Sequence, residues 1–417
     1  MSKSVVAIAK DNDIQTMVSE VFSLLGGVEQ LIKPNSTVVL KPNAGHPGAP
    51  ETSINTSPAV VAAVIREVRK AKPKEIIVAE AAAIGCDTLE CLAVSGIEKA
   101  AREAGADKII DIKREKDLLT IPIKQARSAM THIKLPRFLI EADYIINLPI
   151  FKSHASMVFT NALKNMKGVV QDRVHADMHQ TVLADALLDL WTVIKADLQI
   201  ADMVRPAEGF GPHTTVPVDI GCIIGGKDPV AVDATACRMV GLDIDAVEYF
   251  KAAAGRGIGV IEEDRIEVVG KQISEVYKKM WLPYLAGFNT WPEYKIYPEN
   301  ACSSCQSLVA FTMEKLKALG EYEKNQDAVI VLGRKANLPE GVERKNLILC
   351  GTCLAKHRDK GIWIKGCPPG EPAVGWAIVD REEQIDPPAN VRERMAAEEI
   401  PWREYIERIV AEHRRQA

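Results

Sequence analysis

The chain is 417 residues long, 47% hydrophobic and 26% charged, with a formal net charge of -4. That length favours two or three domains over one core. The ordinary composition excludes wholesale disorder, and the slight acidity excludes a basic footprint that tracks nucleic-acid phosphates. No apolar run approaches the roughly eighteen residues of a membrane span, and the N-terminal MSKSVVAIAKDND lacks the cationic and apolar regions of a signal peptide. The expectation is a cytoplasmic protein with no nucleic-acid or membrane partner.

Residues 4–9 and 37–41 are short β-branched runs that read as strands. Thr56 to Lys72 has helical periodicity, with Ser57 as cap and Pro58 in the first turn. The run EIIVAEA is another buried-type strand. A helix near Gly96 to Ala104 follows, then strands at Lys108 to Ile112 and Asp143 to Leu148 and a helix at Thr181 to Val193. Strands at Leu198 to Asp202 and Asp219 to Gly225 and a helix at Pro229 to Val240 complete the alternation. Continuous apolar strands separated by helix-length segments predict an α/β domain over residues 1–275, a mostly parallel sheet flanked by helices.

Residues 276–300, which include WLPYLAGFNTWPEYKIYP, read as a folded connector. Beyond it, Ser307 to Leu319 reads as a helix, and Ala328 to Leu332 and Asn346 to Cys350 as strands. They predict a smaller α/β, cysteine-rich metal-binding domain over residues 301–385. Residues 386–417 read as an amphipathic helical tail packed on the body of the protein or on a second subunit, the latter making a homodimer.

Nine cysteines in a reducing compartment point to metal or redox chemistry rather than disulfides. Five of them cluster: Cys302 and Cys305 in C-S-S-C, Cys350 and Cys353 in C-G-T-C, and Cys367 in G-C-P-P-G-E-P. A C-x-x-C turn lets two thiolates reach one metal or two irons of one cube. Two such knuckles alone would suffice for zinc. The segment G-C-P-P is similar to the cluster-binding loop of hydrogenase small subunits, and its prolines remove backbone donors near the sulfur. The leading expectation is one 4Fe-4S cluster on Cys302, Cys305, Cys350 and Cys367, with Cys353 as substitute ligand or free thiol. Zinc is the alternative.

The densest polar segment, FKSHASMVFTNALKNMKGVVQDRVHADMH, directly follows the apolar strand YIINLP. Ligand sites in open parallel sheets form at the carboxyl ends of strands. Lys152, His154, Lys164 and His179 are therefore candidate catalytic groups, and Thr160, Asn165 and Lys167 candidate ligand contacts, with His175 in the same run. Lysine would donate to an anion and histidine act as acid, base or metal ligand. Taken singly each lysine reads better as part of a solvated loop or exposed helical face. Lys41 and Asn43 end another strand in LKPNAG, Asp202 ends a strand in IADMVRPAEGFGP, and Glu208 precedes its Gly-x-Gly turn. Asp228, before Pro229, reads as a helix cap rather than a catalyst.

These groups together resemble the domain-of-unknown-function 362 family over about residues 36–245. The resemblance is carried by L-K-P-N, E-A-D-Y-I-I-N-L-P with K-S-H, T-N-A-L-K-N-M-K-G, A-D-M-V-R-P-A-E-G-F-G-P and G-G-K-D-P-V-A-V-D-A. Members of that family are often fused to iron-sulfur modules. The dispersed cysteines of this chain depart from the closely spaced ferredoxin-type repeats and suit a single cluster. The reading that follows is an iron-sulfur oxidoreductase or electron-transfer enzyme, with a redox partner protein and a small anionic ligand in a Lys/His pocket. A non-redox lyase, isomerase or transferase with a structural metal is the alternative, as is a cluster or cofactor carrier. A nicotinamide site is disfavoured, since no G-x-G-x-x-G follows the first strand.

Overall fold

The computed structural model describes residues 3–155, 157–212, 214–283, 290–382 and 391–416. Residues 284–289 of the expected connector and 383–390 at the start of the expected tail lie outside the described residues. The chain divides into two compact units, one formed by Met1–Ser153 and Phe159–Leu282, the other by His154–Val158 and Pro283–Gln416.

The strands of the first part of the chain are β1 Ser4–Lys10, β2 Thr37–Pro42, β3 Glu75–Glu80, β4 Lys108–Asp111, β5 Leu118–Pro122, β6 His132–Pro136 and β7 Tyr144–Leu148. They continue with β8 Ile150–His154, β9 Val158–Thr160, β10 Leu198–Phe210, β11 Thr214–Pro217, β12 Cys222–Gly226 and β13 Ile266–Gly270. The main sheet runs β13-β1-β12-β10-β7-β2-β3-β4. Pairing is parallel from β10 through β7, β2 and β3 to β4, and between β1 and β13. It is antiparallel where β12 meets β1 and β10. The sheet is thus mostly parallel but mixed. The reversal has a local cause: β10 turns directly into β11, and such a tight connection joins only antiparallel neighbours.

One correction concerns β10, which runs thirteen residues rather than stopping at Asp202. Its pairing with β8 shifts register between Asp202 and Ala207, around Pro206, which has no N–H for a ladder. Asp202 therefore lies inside a strand, and Glu208 stands opposite Val216 of β11 rather than at an open turn. A second correction concerns residues 151–179. They are not a solvated loop but β8, β9 and the helices Ala162–Asn165 and Asp172–His179, with many polar side chains buried. The helix Ile14–Leu24 and the antiparallel pair β5–β6 had no counterpart in the expected order.

The helices Ile14–Leu24, Pro58–Arg69 and Ile97–Ala104 cover one face of the sheet, packing on Val38 and Leu40 of β2, Ile76 and Val78 of β3, and Ile146 and Leu148 of β7. Burying each such side chain contributes about 1.5–3 kcal/mol relative to exposure. Ser57 occupies the N-cap of Pro58–Arg69, but its side chain makes no cap bond; its N–H donates instead to Asp202 Oδ2 at 2.8 Å. The helix Pro229–Met239 packs with Ala162–Asn165. Asp228 caps it, accepting from the N–H groups of Val230 and Ala231 at 2.9 and 3.0 Å through Oδ1. Its Oδ2 accepts from Ser4 Oγ and Val260 N.

The second unit has a four-stranded parallel sheet, β14 Lys295–Tyr297, β15 Val329–Leu332, β16 Leu347–Cys350 and β17 Ile362–Ile364, in that order. Its first helix spans Ser303–Ala318, four residues earlier than the expected start at Ser307, which puts Cys302 at the N-cap. The C-terminal helix Val391–Gln416 docks on it: Tyr405 Oη donates to Glu314 Oε2 at 2.8 Å, and Lys315 pairs with Glu398 at 3.0 Å.

The cap at Asp228 ties a helix start to two other segments, so Asp228→Ala is expected to lower unfolding stability by about 1–2 kcal/mol. Denaturant midpoints would check it, and an unchanged midpoint would show the cap to be dispensable.

Candidate functional site

Four parallel strands each bring a buried polar side chain to one hydrogen-bonded row: Glu80 at the carboxyl end of β3, Lys41 and Asn147 near the carboxyl ends of β2 and β7, and Gln199 at the amino end of β10. Lys41 stands in register with Asn147, and Asn147 with Gln199. All four are buried. Buried polar groups cost several kcal/mol unless hydrogen-bonded, and here a continuous chain of bonds satisfies them. Lys41 Nζ lies 3.0 Å from both carboxylate oxygens of Glu80 and donates to Asn165 Oδ1 at 3.1 Å. Asn165 Nδ2 donates to Asn147 Oδ1 at 2.7 Å, and Asn147 Nδ2 to Gln199 Oε1 at 2.8 Å. Glu80 also accepts the N–H groups of Ala44 and Ala81, both at 2.9 Å. Burial pushes the Glu80 carboxyl up and the Lys41 amine down, and each opposes the other's shift.

Gly168 closes over this pair. A Cβ at that position would clash with Glu80 Oε1 and Lys41 Nζ, while its carbonyl accepts from Ala81 N at 2.9 Å. The need for glycine here is close approach, not a left-handed backbone.

A second layer of amines lies around the row. Lys152 Nζ donates to Asn43 Oδ1 at 2.9 Å and to the Ile54 carbonyl, and Asn43 Nδ2 donates to Asn165 Oδ1 at 2.9 Å. Lys167 Nζ lies 2.9 Å from His179 Nε2, which assigns the His179 ring proton to Nδ1. His175 Nε2 donates to the Lys167 carbonyl at 2.7 Å. Lys164 is within electrostatic reach of Lys41, Lys152, Lys167 and His179, and its amine makes no hydrogen bond among the described residues. Burial, then mutual repulsion, depresses all of these cations. Lys152 falls to about 7, Lys164 to about 8 and His179 to about 2, and Lys167 and His175 lie well below their ordinary values. Such perturbed groups concentrate at functional sites.

The structure thus brings together Lys41, Asn43, Lys152, Asn165, Lys164, Lys167 and His179 from the expected set. It places four others differently. Asp202 accepts the N–H groups of Ser57 and Val204 and serves the backbone. Glu208 Oε2 accepts from Trp281 N. Thr160 is buried in β9. His154 groups with residues 155–158 in the second unit. Sequence reasoning missed Glu80, Asn147 and Gln199. The available signal for Glu80 and Asn147 was a polar residue near the end of an apolar run, in EIIVAE and YIINLP; Gln199, second in LQIAD, had no such signal. It also left the role of Asp233 open: Asp233 is fully buried and caps Ala162–Asn165, accepting from Ala162 N and Leu163 N at 2.7 and 3.0 Å.

In the second unit, Cys302 and Cys305 occupy the N-cap and third position of Ser303–Ala318, Cys350 ends β16, Cys353 lies in the 3-10 turn Thr352–His357, and Cys367 follows β17. Gly351 adopts φ 104°, and a Cβ there would meet the sulfurs of both Cys353 and Cys305, at 3.5 and 3.9 Å. The thiols of Cys302 and Cys305 share a hydrogen bond, Cys350 and Cys353 lie within electrostatic reach of Cys305, and Cys367 within reach of Cys353. The Cys305 thiol and the N–H groups of Cys305 and Ser304 pull the Cys302 thiol down. Among the described residues, no three His, Cys, Asp or Glu side chains are grouped closely enough to hold a single metal ion.

The first unit is thus an α/β fold built on a mostly parallel, mixed sheet with lysines and histidines near its strand ends. Residues 38–238 match the model of the family described as Domain of unknown function (DUF362), which contains every residue of the buried row. A thylakoid-associated protein of Synechocystis sp. is 29% identical over 245 residues, 56% of this chain and 72% of that protein. Two solved structures are similar at a low level. The lactate racemase apoprotein from Thermoanaerobacterium thermosaccharolyticum has a TM-score of 0.37 and 12% identity over 57% of each chain. A Thermotoga maritima protein has a TM-score of 0.36 and 14% identity over 84% of this chain and 81% of that one. Likenesses of that size assign no activity. Among the described residues, no helix is long and apolar enough to cross a membrane.

Breaking a buried ion pair by removing one partner costs about 3–5 kcal/mol. Glu80→Gln and Gly168→Ala are each expected to destabilise the protein by about 3 kcal/mol or more, the first by stranding Lys41 and the second by prising the pair apart. Urea unfolding measures this; a loss under about 1 kcal/mol in both variants would mean the pair does not hold the strand ends.

Proposed function

We propose that the first unit binds a small anionic ligand at the carboxyl ends of β2, β7 and β8, and that the second unit carries a 4Fe-4S cluster. The protein would then be an iron-sulfur oxidoreductase or electron-transfer protein acting on that ligand with a redox partner, in a cytoplasm that keeps its thiols reduced. The observation that carries the ligand site is charge. Lys152 is buried and Lys164 and Lys167 are half-buried within its electrostatic neighbourhood, while Glu80 is already committed to Lys41 and Asp172 to Lys113. An anion entering there restores the charge that burial removes.

The cluster reading rests on the gathered sulfurs, with Cys302, Cys305, Cys350 and Cys367 as ligands and Cys353 as substitute ligand or free thiol. Zinc, which takes its thiolates at about 2.3 Å, is the alternative for the same sulfurs. A cube spreads its ligands over several irons. N–H groups aimed at the Cys302 sulfur are of the kind that raise a cluster's potential when it is bound. The non-redox alternative, a lyase, isomerase or transferase with a structural metal, is favoured by amines poised near neutrality at Lys152 and Lys164.

Protein purified without oxygen is expected to contain iron and acid-labile sulfide at ~4 of each per chain. Cys302→Ser or Cys367→Ser would lose them and Cys353→Ser would keep them. Stoichiometric zinc without iron would remove the redox reading.

Ligand binding has its own test. Lys152 at about 7 faces Lys41, Glu80 and Lys164, and Lys164 at about 8 faces Lys41. An anion favours their charged forms, so oxalate affinity should fall by up to about tenfold per pH unit and per proton as pH rises through this range. Calorimetry at pH 8 in buffers of different ionisation enthalpy should show net proton uptake. Proton release, or no binding of oxalate, would contradict the site.

A further inference from the structure

Lysines in the first unit differ in what their amines touch. Lys41 is held by Glu80, Asn165 and the Pro42 carbonyl, Lys152 by Asn43 and the Ile54 carbonyl, and Lys167 by His179. Lys164 alone of these four has an amine with no hydrogen-bond partner among the described residues, although three other amines and His179 lie within electrostatic reach. Its main chain is fixed: it lies in Ala162–Asn165, whose first N–H groups are held by Asp233 and whose last residue is locked to Asn147. A rigidly based, unpartnered amine among cations has the features of an amine nucleophile that forms Schiff bases.

We propose that Lys164 forms an imine with an anionic carbonyl compound, the smallest members being 2-oxo carboxylates, whose carboxylate is bound by the neighbouring lysines. This rests on the anionic-ligand reading of the same site and names its substrate class. The neutral Lys164 Nζ adds its lone pair to the carbonyl carbon, and the C=O π pair moves to oxygen, which takes a proton. The carbinolamine then expels that oxygen as water while the nitrogen lone pair forms C=N. Overall, one ammonium and one carbonyl give one protonated imine and one water, with no change of oxidation state. The cationic nitrogen then withdraws electrons from the carbon on the far side of the former carbonyl, so that loss of a proton there sends its electron pair into the C–C bond and the C=N pair onto nitrogen, giving an enamine. Burial lowers Lys164 to about 8, so a useful fraction of the amine is neutral near pH 7.

The test uses the full chain, purified without oxygen, incubated with pyruvate and sodium cyanoborohydride, digested, and mapped by mass spectrometry. The expected result is a reduced pyruvate adduct on Lys164, roughly tenfold or more above that on an exposed lysine such as Lys99 and suppressed by excess oxalate. Lys164→Arg should abolish the adduct while keeping the circular-dichroism spectrum of the unaltered protein. Oxalate binding without an adduct on Lys164 in the unaltered protein would overturn the imine and leave the anion site standing. Failure of both binding and trapping would overturn the two together, and an adduct confined to Lys152 or to exposed lysines would overturn the assignment to Lys164.

Discussion

Burial of Lys41 against Glu80 is the constraint on which the first unit's site depends. The buried polar side chains of this row lie near the carboxyl ends of β3, β2 and β7 and at the amino end of β10. Neighbouring strands in register then set these side chains side by side. In β3, β2, β7 and β10 they are Glu80, Lys41, Asn147 and Gln199, and all four are buried. Taking a carboxylate and an ammonium out of water costs several kcal/mol each. The cost is offset only because every polar atom of the pair is engaged: the amine by Glu80, Asn165 and Pro42, the carboxylate by Lys41, Ala44 and Ala81. Each of those partners is thereby fixed in turn, including the turn after β2 and the approach of Gly168.

A self-neutralising pair has little charge left for a ligand. The layer built around it is of the opposite kind. Lys152, Lys164 and Lys167 have carbonyls, an imidazole or no partner at all, and each is desolvated. Two unit charges 4 Å apart interact by about 4 kcal/mol at an effective dielectric of 20. Several amines cannot all remain charged at such separations, so protons leave or an anion arrives. Either outcome is chemically useful: neutral amines act as bases and nucleophiles, and a bound anion is held by the amines that stay charged. The neutral histidines fit the same field, since Lys167 beside His179 disfavours a second positive charge.

How much of this could be read from the sequence follows from the range over which each signal acts. Strand and helix periodicity is local, so the order of the apolar strands, the helix Pro229–Met239 and the cap at Asp228 were legible. Lys41, Asn43, Lys152 and Asn165 were legible as a group because each lies next to an apolar strand end. Glu80 was not, because a single carboxylate at the end of EIIVAE gives no sign that a lysine thirty-nine residues earlier will face it. Asp202 and Glu208 misled for the converse reason. Their glycines and proline suggested an open turn, whereas β10 continues through Pro206 by shifting its pairing, and both carboxylates are spent on backbone N–H groups. The helix start at Ser303 was missed because Cys302, an unremarkable capping residue by type, takes the N-cap position.

The thiols of the second unit and the amines of the first make different demands on chemistry. Amine catalysis through an imine needs no electron donor, since the substrate supplies the carbonyl and releases water. Cysteines that only stabilised a fold would have no need of N–H groups aimed at one sulfur, nor of a glycine in the left-handed region with two sulfurs against its bare α-carbon. At Gly351 a side chain would occupy the space those sulfurs face, and the φ of 104° is one that other residues rarely adopt. Gly351 is thus required by its positive φ, and it sets Cys353 and Cys305, from two separate elements, close to one stretch of main chain.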